Sequence, residues 1–435
     1  MKKVIIVGAG PAGVLLAHYL LRRGTQYKIE IYERRSDLQK VSLANSRTIP
    51  YGINDRGLRA LRKIEGLEAA VKATCVENHG SIIYQKNKIL ENQSKKIYSF
   101  NTDRTSLLIA LLSKLTDKSD NKVEIHYDCK CTSLDFENKT LTFEKVKGTV
   151  PENQAEFTVD YDLLIGADGA RSIVRTHLLN TEFFEFQQEY AYACYKTVFL
   201  LSNKEKISKN LKPNYLNIWR IEEGITFGIV PQLDDKFIGI LFFPQKPNKV
   251  VNLSTKEEVM AFFQQNLPEV APLISEEEAE AFLKRPIGTQ LRTRCDRYHY
   301  RDSVLILGDA AHAVSSSLGQ GCNNAFEDVL VLDSLLDEYS DEWATALEQF
   351  TIRRRPDAHA LWELDTNVIP ASKALFTEFI LRESFAKMMN KLFPQFFVPP
   401  LRELLSASTI PYSDILKSYQ GWISKVKNSN KKFLN

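Results

Sequence analysis

The sequence predicts an α/β fold in which a strand–turn–helix–strand core is interrupted by antiparallel sheet and followed by a run of helices. Three observations carry this prediction. Strand, glycine turn, helix and second strand follow one another in the first 33 residues; short segments at hairpin spacing fill residues 180 to 245; and the text after Ala344 is helical in pattern. At 435 residues the chain exceeds the size at which one core stops growing, so two or three packed units are expected.

The elements justify themselves in order. VIIV (4–7) is a strand, GAGPAG (8–13) a tight turn, VLLAHYLLRR an apolar helix closed by Gly24, and KIEIYE (28–33) the second strand. Together they make one βαβ unit of the usual ~30 residues. A Leu- and Arg-rich helix is expected from Asp55 to about Lys72, then a small antiparallel excursion from Cys75 to Phe100 with SIIYQ and KIYSF. Helix returns at DRTSLLIALLSKLTD with Asp103 as its N-cap. KVEIHYDC, KTLTFEK and TVDYDLLIGADG read as strands, the last buried because it is mostly apolar. NYLNIW, ITFGIV and KFIGILFF follow at hairpin spacing, and acidic helical text, including the solvated face EEEAEAF, runs to Lys284. VLILG is a second buried strand, followed by a long helix from about Cys322 to Leu336. Prolines 356, 370, 394, 399, 400 and 411 are expected to break the C-terminal helices. The resulting division assigns 1–74, 101–178 and 286–350 to a nucleotide-binding portion, 75–100 and 179–285 to a β-sheet substrate portion, and 351–435 to a helical region.

Composition is that of an ordinary globular protein, 44% apolar and 26% charged, and Lys+Arg of 57 against Asp+Glu of 54 gives no reason to expect nucleic acid. The six cysteines include no C-x-x-C pair and read as reduced thiols, which fits the cytoplasm. The apolar run in MKKVIIVGAG is too short for an export signal, and no stretch reaches the about 18 apolar residues of a spanning helix. The amphipathic stretch 376–397 is expected to pack on the nucleotide-binding portion; peripheral membrane contact is the other use of such a face. No metal site is assigned.

The turn G8-A-G10-P-A-G13 lies between a strand and a helix, with Glu33 twenty residues after Gly13 at the end of the second strand. A helix N-terminus offers free N–H groups to a pyrophosphate, and the carboxylate takes ribose hydroxyls, so a Rossmann-like dinucleotide site is expected. That motif does not separate NAD from FAD. Two later segments bear on the choice: YDLLIGADGARSIVR (161–175), with Asp168 at a strand end and Arg171 and Arg175 beyond it, and VLILGDAAHAVSSSLGQGCNNAFED, with Asp309 at a strand end. In the latter Asp309, His312 and Ser315 to Ser317 invite the idea of a hydrolase triad, but no G-x-S-x-G elbow accompanies them. His312 is read instead as a residue of a tight turn.

The three motifs together resemble the FAD-dependent aromatic hydroxylases, class A flavoprotein monooxygenases like para-hydroxybenzoate hydroxylase. Within that group PNYLNIW (213–219), LGDAAHAVSSSLGQGCNNAFED, RRRPDAHAL (353–361) and TIPYSDIL (409–416) are similar to kynurenine 3-monooxygenases, nearly to the C-terminus. The resemblance implies an FAD-binding domain of the para-hydroxybenzoate hydroxylase type, with NADPH or NADH and O2 as co-substrates, and a flavin hydroperoxide that oxygenates a small aromatic substrate. It implies that Gly8, Gly10, Ala12 and Gly13 lie against the pyrophosphate, that Glu33 and Arg34 flank the adenosine ribose, and that Arg47 and Arg104 contact the cofactor. Cys131 joins this set; Asp168 would stabilise the fold around the dinucleotide, and Asp309 would reach the ribityl or phosphate part. Gly321, Cys322 and Asn323 would set backbone N–H groups near the flavin pyrimidine ring. No catalytic base is named, and monomer and homodimer are both compatible.

The substrate end departs from the pattern. Kynurenine hydroxylases hold the substrate carboxylate with an arginine and a tyrosine on the small β-excursion, whereas 76-VENHGSIIYQKNKILENQ-93 has no arginine and only Tyr84. They carry Pro-Phe-Phe before G-Q-G, where this chain has Ser316, Ser317 and Leu318. Asn367 and Tyr412 match family substrate contacts, and Phe227, with Trp219, Phe237 and Phe242, lies on the β-rich insertion where it could line a pocket. A flat aromatic substrate other than kynurenine is expected. Alternatives on the same scaffold are a flavin-dependent epoxidase or halogenase-like enzyme, although the W-x-W-x-I-P signature is missing, and a non-catalytic flavin-binding protein.

Overall fold

The computed structural model describes the chain except residues 25, 39–48, 86–87, 94–96, 117–121, 147–155, 201–210, 213, 246–247, 371 and 435. Its first sheet has six strands in the order His299–Tyr300, Val304–Ile306, Leu163–Gly166, Lys2–Val7, Tyr27–Tyr32 and Val123–His126, parallel except at the His299–Tyr300 edge. Val4, Ile5 and Ile6 are all buried because both faces are covered, by helices and by a small antiparallel sheet whose Phe143 stacks on Tyr32, which explains a continuous apolar run rather than alternation. Helices Pro11–Arg22, Arg104–Thr116 and Gly321–Glu338 belong to this layer, and Asp103 caps the second, its Oδ1 accepting the Thr105 and Ser106 N–H groups.

A second, seven-stranded sheet runs Gly288–Cys295, Phe186–Leu200, Phe237–Pro244, Thr226–Pro231, Leu216–Arg220, Gly80–Gln85 and Lys88–Gln93. Helices Lys256–Asn266 and Glu276–Lys284 back it, and Phe227, Phe243, Phe263 and Phe282 fill the space between. The strand Gly288–Cys295, placed by the sequence in the nucleotide-binding portion, edges this second sheet through its antiparallel pairing with Phe186–Leu200. TVDYDLLIGADG likewise divides: Glu156–Asp160 joins a three-stranded antiparallel sheet and Leu163–Gly166 the large parallel one.

Two helix expectations fail for local reasons. Asp55–Lys72 splits into Asp55–Arg62 and Leu67–Lys72 at Gly66, whose φ of 74° leaves the helical region. Pro356 lies inside the helix Trp343–Asn367; the carbonyl its missing N–H would have met belongs to Ile352, on an exposed face where the lost bond leaves no buried acceptor. The C-terminal helices Lys373–Leu392, Leu401–Ala407 and Tyr412–Leu434 share a core of their own with the end of Trp343–Asn367. The stretch 376–397 therefore packs through Phe376, Phe379 and Ile380 on that core, not on the nucleotide-binding layer, and leaves Leu381, Phe385, Met388 and Leu392 exposed. No described helix is long and apolar enough to cross a membrane.

One buried cation fastens this helical region to the rest. Arg56 donates to Glu327 Oε1 (2.6 Å) and to the Ile410 carbonyl (2.6 Å), and its guanidinium lies 4.0 Å from the centre of the Tyr412 ring. The Tyr412 hydroxyl donates to Gln320 Oε1 at 3.0 Å. Arg56→Met removes both bonds and leaves buried acceptors, so a loss of about 3 kcal/mol is expected in chemical denaturation, against about 1 kcal/mol for Tyr412→Phe.

Candidate active site

Three strand-end turns converge on one cavity. Gly8 has φ +106°, and a Cβ there would lie 2.5 Å from the Ala167 carbonyl oxygen, so the first turn abuts the second directly. A Cβ on Gly13 would lie 2.3 Å from the Gly8 oxygen; glycine lets the first helix sit on its strand. Around Gly10, by contrast, a Cβ would meet nothing closer than the Ala167 oxygen at 3.9 Å, because this face opens to the cavity. Gly10 is also the N-cap of Pro11–Arg22, with no side-chain cap, so the helix presents its free N–H groups and positive end to a ligand. Glu33 is fixed beside this turn by the N–H groups of Ala9 (3.0 Å) and Arg35 (2.9 Å), with Arg34 exposed next to it.

At the second turn Asp168 Oδ2 accepts the Ile173 N–H at 2.7 Å, while its other oxygen is buried without a partner. Burial pushes its carboxyl up despite these hydrogen bonds. Arg175 ties the second turn to the third by donating to the Ala170 and Ala310 carbonyls. At the third turn Asp309 lines the cavity and is exposed to it. Ala12, Arg104, Gly321 and Cys322 line the same cavity, and Gly321–Glu338 again starts without a side-chain cap. Two uncapped helix ends, the close approaches at Gly8, Gly10 and Gly321 and the Arg104 cation fit the pyrophosphate and electron-accepting ring of a flavin dinucleotide. The cavity, about 3670 Å³, extends between the two sheets to the C-terminal helices, well beyond the about 1,000 Å³ of a large drug-sized pocket.

Asn323 follows Gly321 and Cys322 at the uncapped helix start, and its buried side chain accepts the Asn54 N–H and donates to the Gly52 and Gly319 carbonyls, stapling the long helix to Pro50–Ile53. Several expected residues lie elsewhere. Gly13 serves packing and does not line the cavity. Cys131 faces the core, because alternation in Cys129–Asp135 turns it inward; burial and the neighbouring Asp168 push its thiol up to about 12. Phe227, 0% exposed, packs on Trp219 and Phe263 behind the sheet, whereas Phe242 and Trp219 reach the cavity. Phe237 is core as well. Tyr412 is 0% exposed and engaged with Gln320 and Arg56, away from the cavity wall. Arg47 lies outside the described residues.

On the substrate side Ser316, Ser317, Leu318 and Asn367 all line the cavity. The serines are held by residues the sequence reading did not single out. Asp365 Oδ1 accepts the hydroxyls of Ser315 (2.8 Å) and Ser317 (2.6 Å), its Oδ2 accepts the Ser315 N–H (3.0 Å) and the Arg292 Nε–H (2.8 Å), and Gln290 Oε1 accepts the Ser316 N–H (2.6 Å). Nothing in LWELDTNV separates Asp365 from Glu363 as text; only the packing does. Tyr84 stacks on Trp219 at 4.6 Å and donates to Asn217 Oδ1. His312 is buried in the turn, with Nε2 2.7 Å from Asp328 Oδ2 and Nδ1 2.9 Å from Asn324 Nδ2.

Comparison with known proteins agrees with this geometry. Residues 1–365 match the family described as FAD binding domain. The chain is 34% identical over 375 residues to a kynurenine 3-monooxygenase of Phaeosphaeria nodorum, covering 83% of this chain and 76% of that protein. It is 29% identical over 426 residues to a kynurenine 3-monooxygenase of Flavobacterium psychrophilum, covering 95% and 90%. Among solved structures, the tetrameric form of 2-methyl-3-hydroxypyridine-5-carboxylic acid oxygenase superposes with a TM-score of 0.69 at 18% identity, covering 89% of this chain and 93% of that one.

Gly13→Ala places a methyl group on a backbone oxygen and should lower FAD retained through purification at least several-fold, read from the flavin-to-protein absorbance ratio.

Proposed function

The chain belongs to the FAD-dependent aromatic hydroxylases, the class A flavoprotein monooxygenases, and from that premise we propose that it hydroxylates a small aromatic substrate other than kynurenine, at the expense of NADH or NADPH and O2. When bound, FAD supplies the redox chemistry: two electrons come from the nicotinamide, one oxygen atom enters the ring and the other leaves as water. The chain's own part is to bind, orient and exclude water. The uncapped starts of Pro11–Arg22 and Gly321–Glu338 offer N–H groups to the phosphates and to the ring end, where positive potential favours added negative charge. Glu33, Arg34, Arg104 and Asp309 would orient the dinucleotide, and Asp168 would brace its turn. Ser316, Ser317, Leu318 and Asn367 would line the substrate pocket beside it. No side chain is assigned as a catalytic base.

The observation that supports a substrate other than kynurenine is the state of the tyrosines. Tyr84 is stacked on Trp219 and bonded to Asn217, Tyr412 is buried against Arg56 and Gln320, and Gly80–Gln93 carries no arginine. In addition, Ser316, Ser317 and Leu318, the two serines held by Gln290 and Asp365, stand where relatives are expected to carry Pro-Phe-Phe.

The purified protein should be yellow, and its NADH and NADPH oxidation should be stimulated by members of a panel of phenols, anilines and quinolones, with a product heavier by one oxygen. Efficient hydroxylation of kynurenine would refute the substrate proposal. Replacing Ser316 with Pro and Ser317 with Phe together should raise the KM for the stimulating aromatic at least several-fold while flavin content stays constant; unchanged kinetics would show that the loop does not line the pocket.

A further inference from the structure

Two arginines in the cavity wall stand together on one patch of aromatic rings. Arg220 ends the strand Leu216–Arg220, and Arg402 lies in the first turn of Leu401–Ala407. The Arg220 guanidinium lies 3.9 Å from the centre of the Phe376 ring and that of Arg402 5.5 Å from Phe379, and these two rings are 6.3 Å apart, so the cations share one aromatic shelf. Phe376 and Leu318 pack against the same C-terminal core, which puts this shelf beyond the serine loop on the substrate side. Among the described residues neither guanidinium has a hydrogen-bonding or ion-pairing partner. Glu383, the carboxylate that attracts Arg402, is already engaged by the Leu401 (2.9 Å) and Arg402 (3.2 Å) backbone N–H groups.

Three other cations lining the cavity are paired with carboxylates. Arg292 meets Asp365 at 2.8 Å, Arg285 is bridged to Glu278 through both of its terminal nitrogens, and Lys427 meets Glu363 at 2.6 Å. Leaving two like charges side by side without an anion is costly. Burial depresses both guanidinium pKa values, and at Arg220 repulsion from Arg402 adds to it. A planar oxyanion set between them would offset this cost, since guanidinium matches carboxylate geometry with two parallel N–H donors.

We propose that Arg220 and Arg402 form an anion clamp that grips a carboxylate on the aromatic substrate from the C-terminal side of the cavity. This rests on the hydroxylase reading for the identity of the ligand as substrate, but not for its binding. The clamp replaces an arginine on Gly80–Gln93 by two from other elements, so the aromatic acid enters with its charge toward the C-terminal helices and its ring toward the serine loop.

The test is calorimetric titration of the FAD-loaded protein with benzoate, 2-aminobenzoate and kynurenine against benzamide and 2-aminobenzamide. At least one acid should bind at least tenfold more tightly than its amide or, for kynurenine, than benzamide. Arg220→Gln and Arg402→Gln should each weaken that acid about tenfold to a hundredfold without changing flavin content or amide binding. Arg220→Lys should keep part of the preference. Equal binding of acids and amides, no binding of any acid at millimolar concentration, or Gln variants that retain the acid preference would each overturn the clamp. So would variants that raise the KM for NADPH but not NADH while acid binding stays intact, because the pair would then hold a nucleotide phosphate. Acids that bind through the pair without any oxygenated product would instead overturn the hydroxylase reading and leave the clamp standing; kynurenine bound and hydroxylated through it would overturn only the choice of substrate.

Discussion

The carboxylate of Asp328 is the constraint on which the arrangement depends. It is buried in the long helix, accepts the Gly308 N–H at 2.8 Å and the Arg354 Nε–H at 2.8 Å, and lies 2.7 Å from His312 Nε2. Burial alone would push such a carboxyl up; His312, Arg354 and the Gly308 N–H together hold it below its usual range. A buried charge so fully satisfied cannot move without leaving its partners unpaired, which costs several kcal/mol. The third turn, the long helix and the C-terminal helix are therefore locked in one geometry. The lock extends further: Arg354 also meets Glu327, Glu327 meets Arg56, and Arg56 carries the Tyr412 end of the last helix. One row of alternating charge runs from the third turn to the C-terminal helices.

This lock explains how one cavity serves two kinds of contact. At its cofactor end the wall is backbone: glycines where side chains would collide, and helix starts with free N–H groups. Such contacts require the turns to keep position within a fraction of an ångström, because a hydrogen bond weakens steeply with misalignment. At its other end the wall is side chain: Ser316, Ser317, Leu318, Asn367, Phe242 and the arginine shelf. These residues stand on elements already fixed by the charge row and by the Asp365 pairings, so they can differ without disturbing the backbone that holds FAD.

The same division decides what could be read from the sequence. The βαβ start, the two strand-end aspartates and the long helix were legible because turn glycines, buried apolar runs and a capping aspartate act locally. Asp103 shows this directly, since its cap bonds lie two and three residues ahead. Residues whose roles depend on partners far along the chain were not legible. Asp365 finds Ser315 fifty positions away, and Tyr412 finds Gln320 ninety-two away. Phe227 and Cys131 have the composition of pocket residues but fall on the inward side of their strands, a choice set by sheet register and by which face the backing helices cover. Pro356 was read as a break because its neighbours' exposure, which makes the lost bond tolerable, is a tertiary property.

Charge explains why the substrate end can change character while the fold persists. The serine loop trades hydrophobic cover for hydroxyls, and each is satisfied within the wall by Asp365 or Gln290, so polarity there carries no unpaired-group penalty. Asp365 in turn neutralises Arg292, which removes that cation from competition for an anionic ligand. Arg220 and Arg402 carry positive charge on the substrate side, stacked on Phe376 and Phe379 rather than paired. Ligand charge and ligand shape are thus governed by different residues: the arginine shelf sets the sign, and the serine loop sets the space beside the ring. Moving the carboxylate contact off Gly80–Gln93 and onto the C-terminal helices couples recognition to the region that Arg56 and Tyr412 fasten in place. Their docking would hold Arg402 within reach of Arg220, and the same contacts that stabilise the last helices would also shape the substrate site.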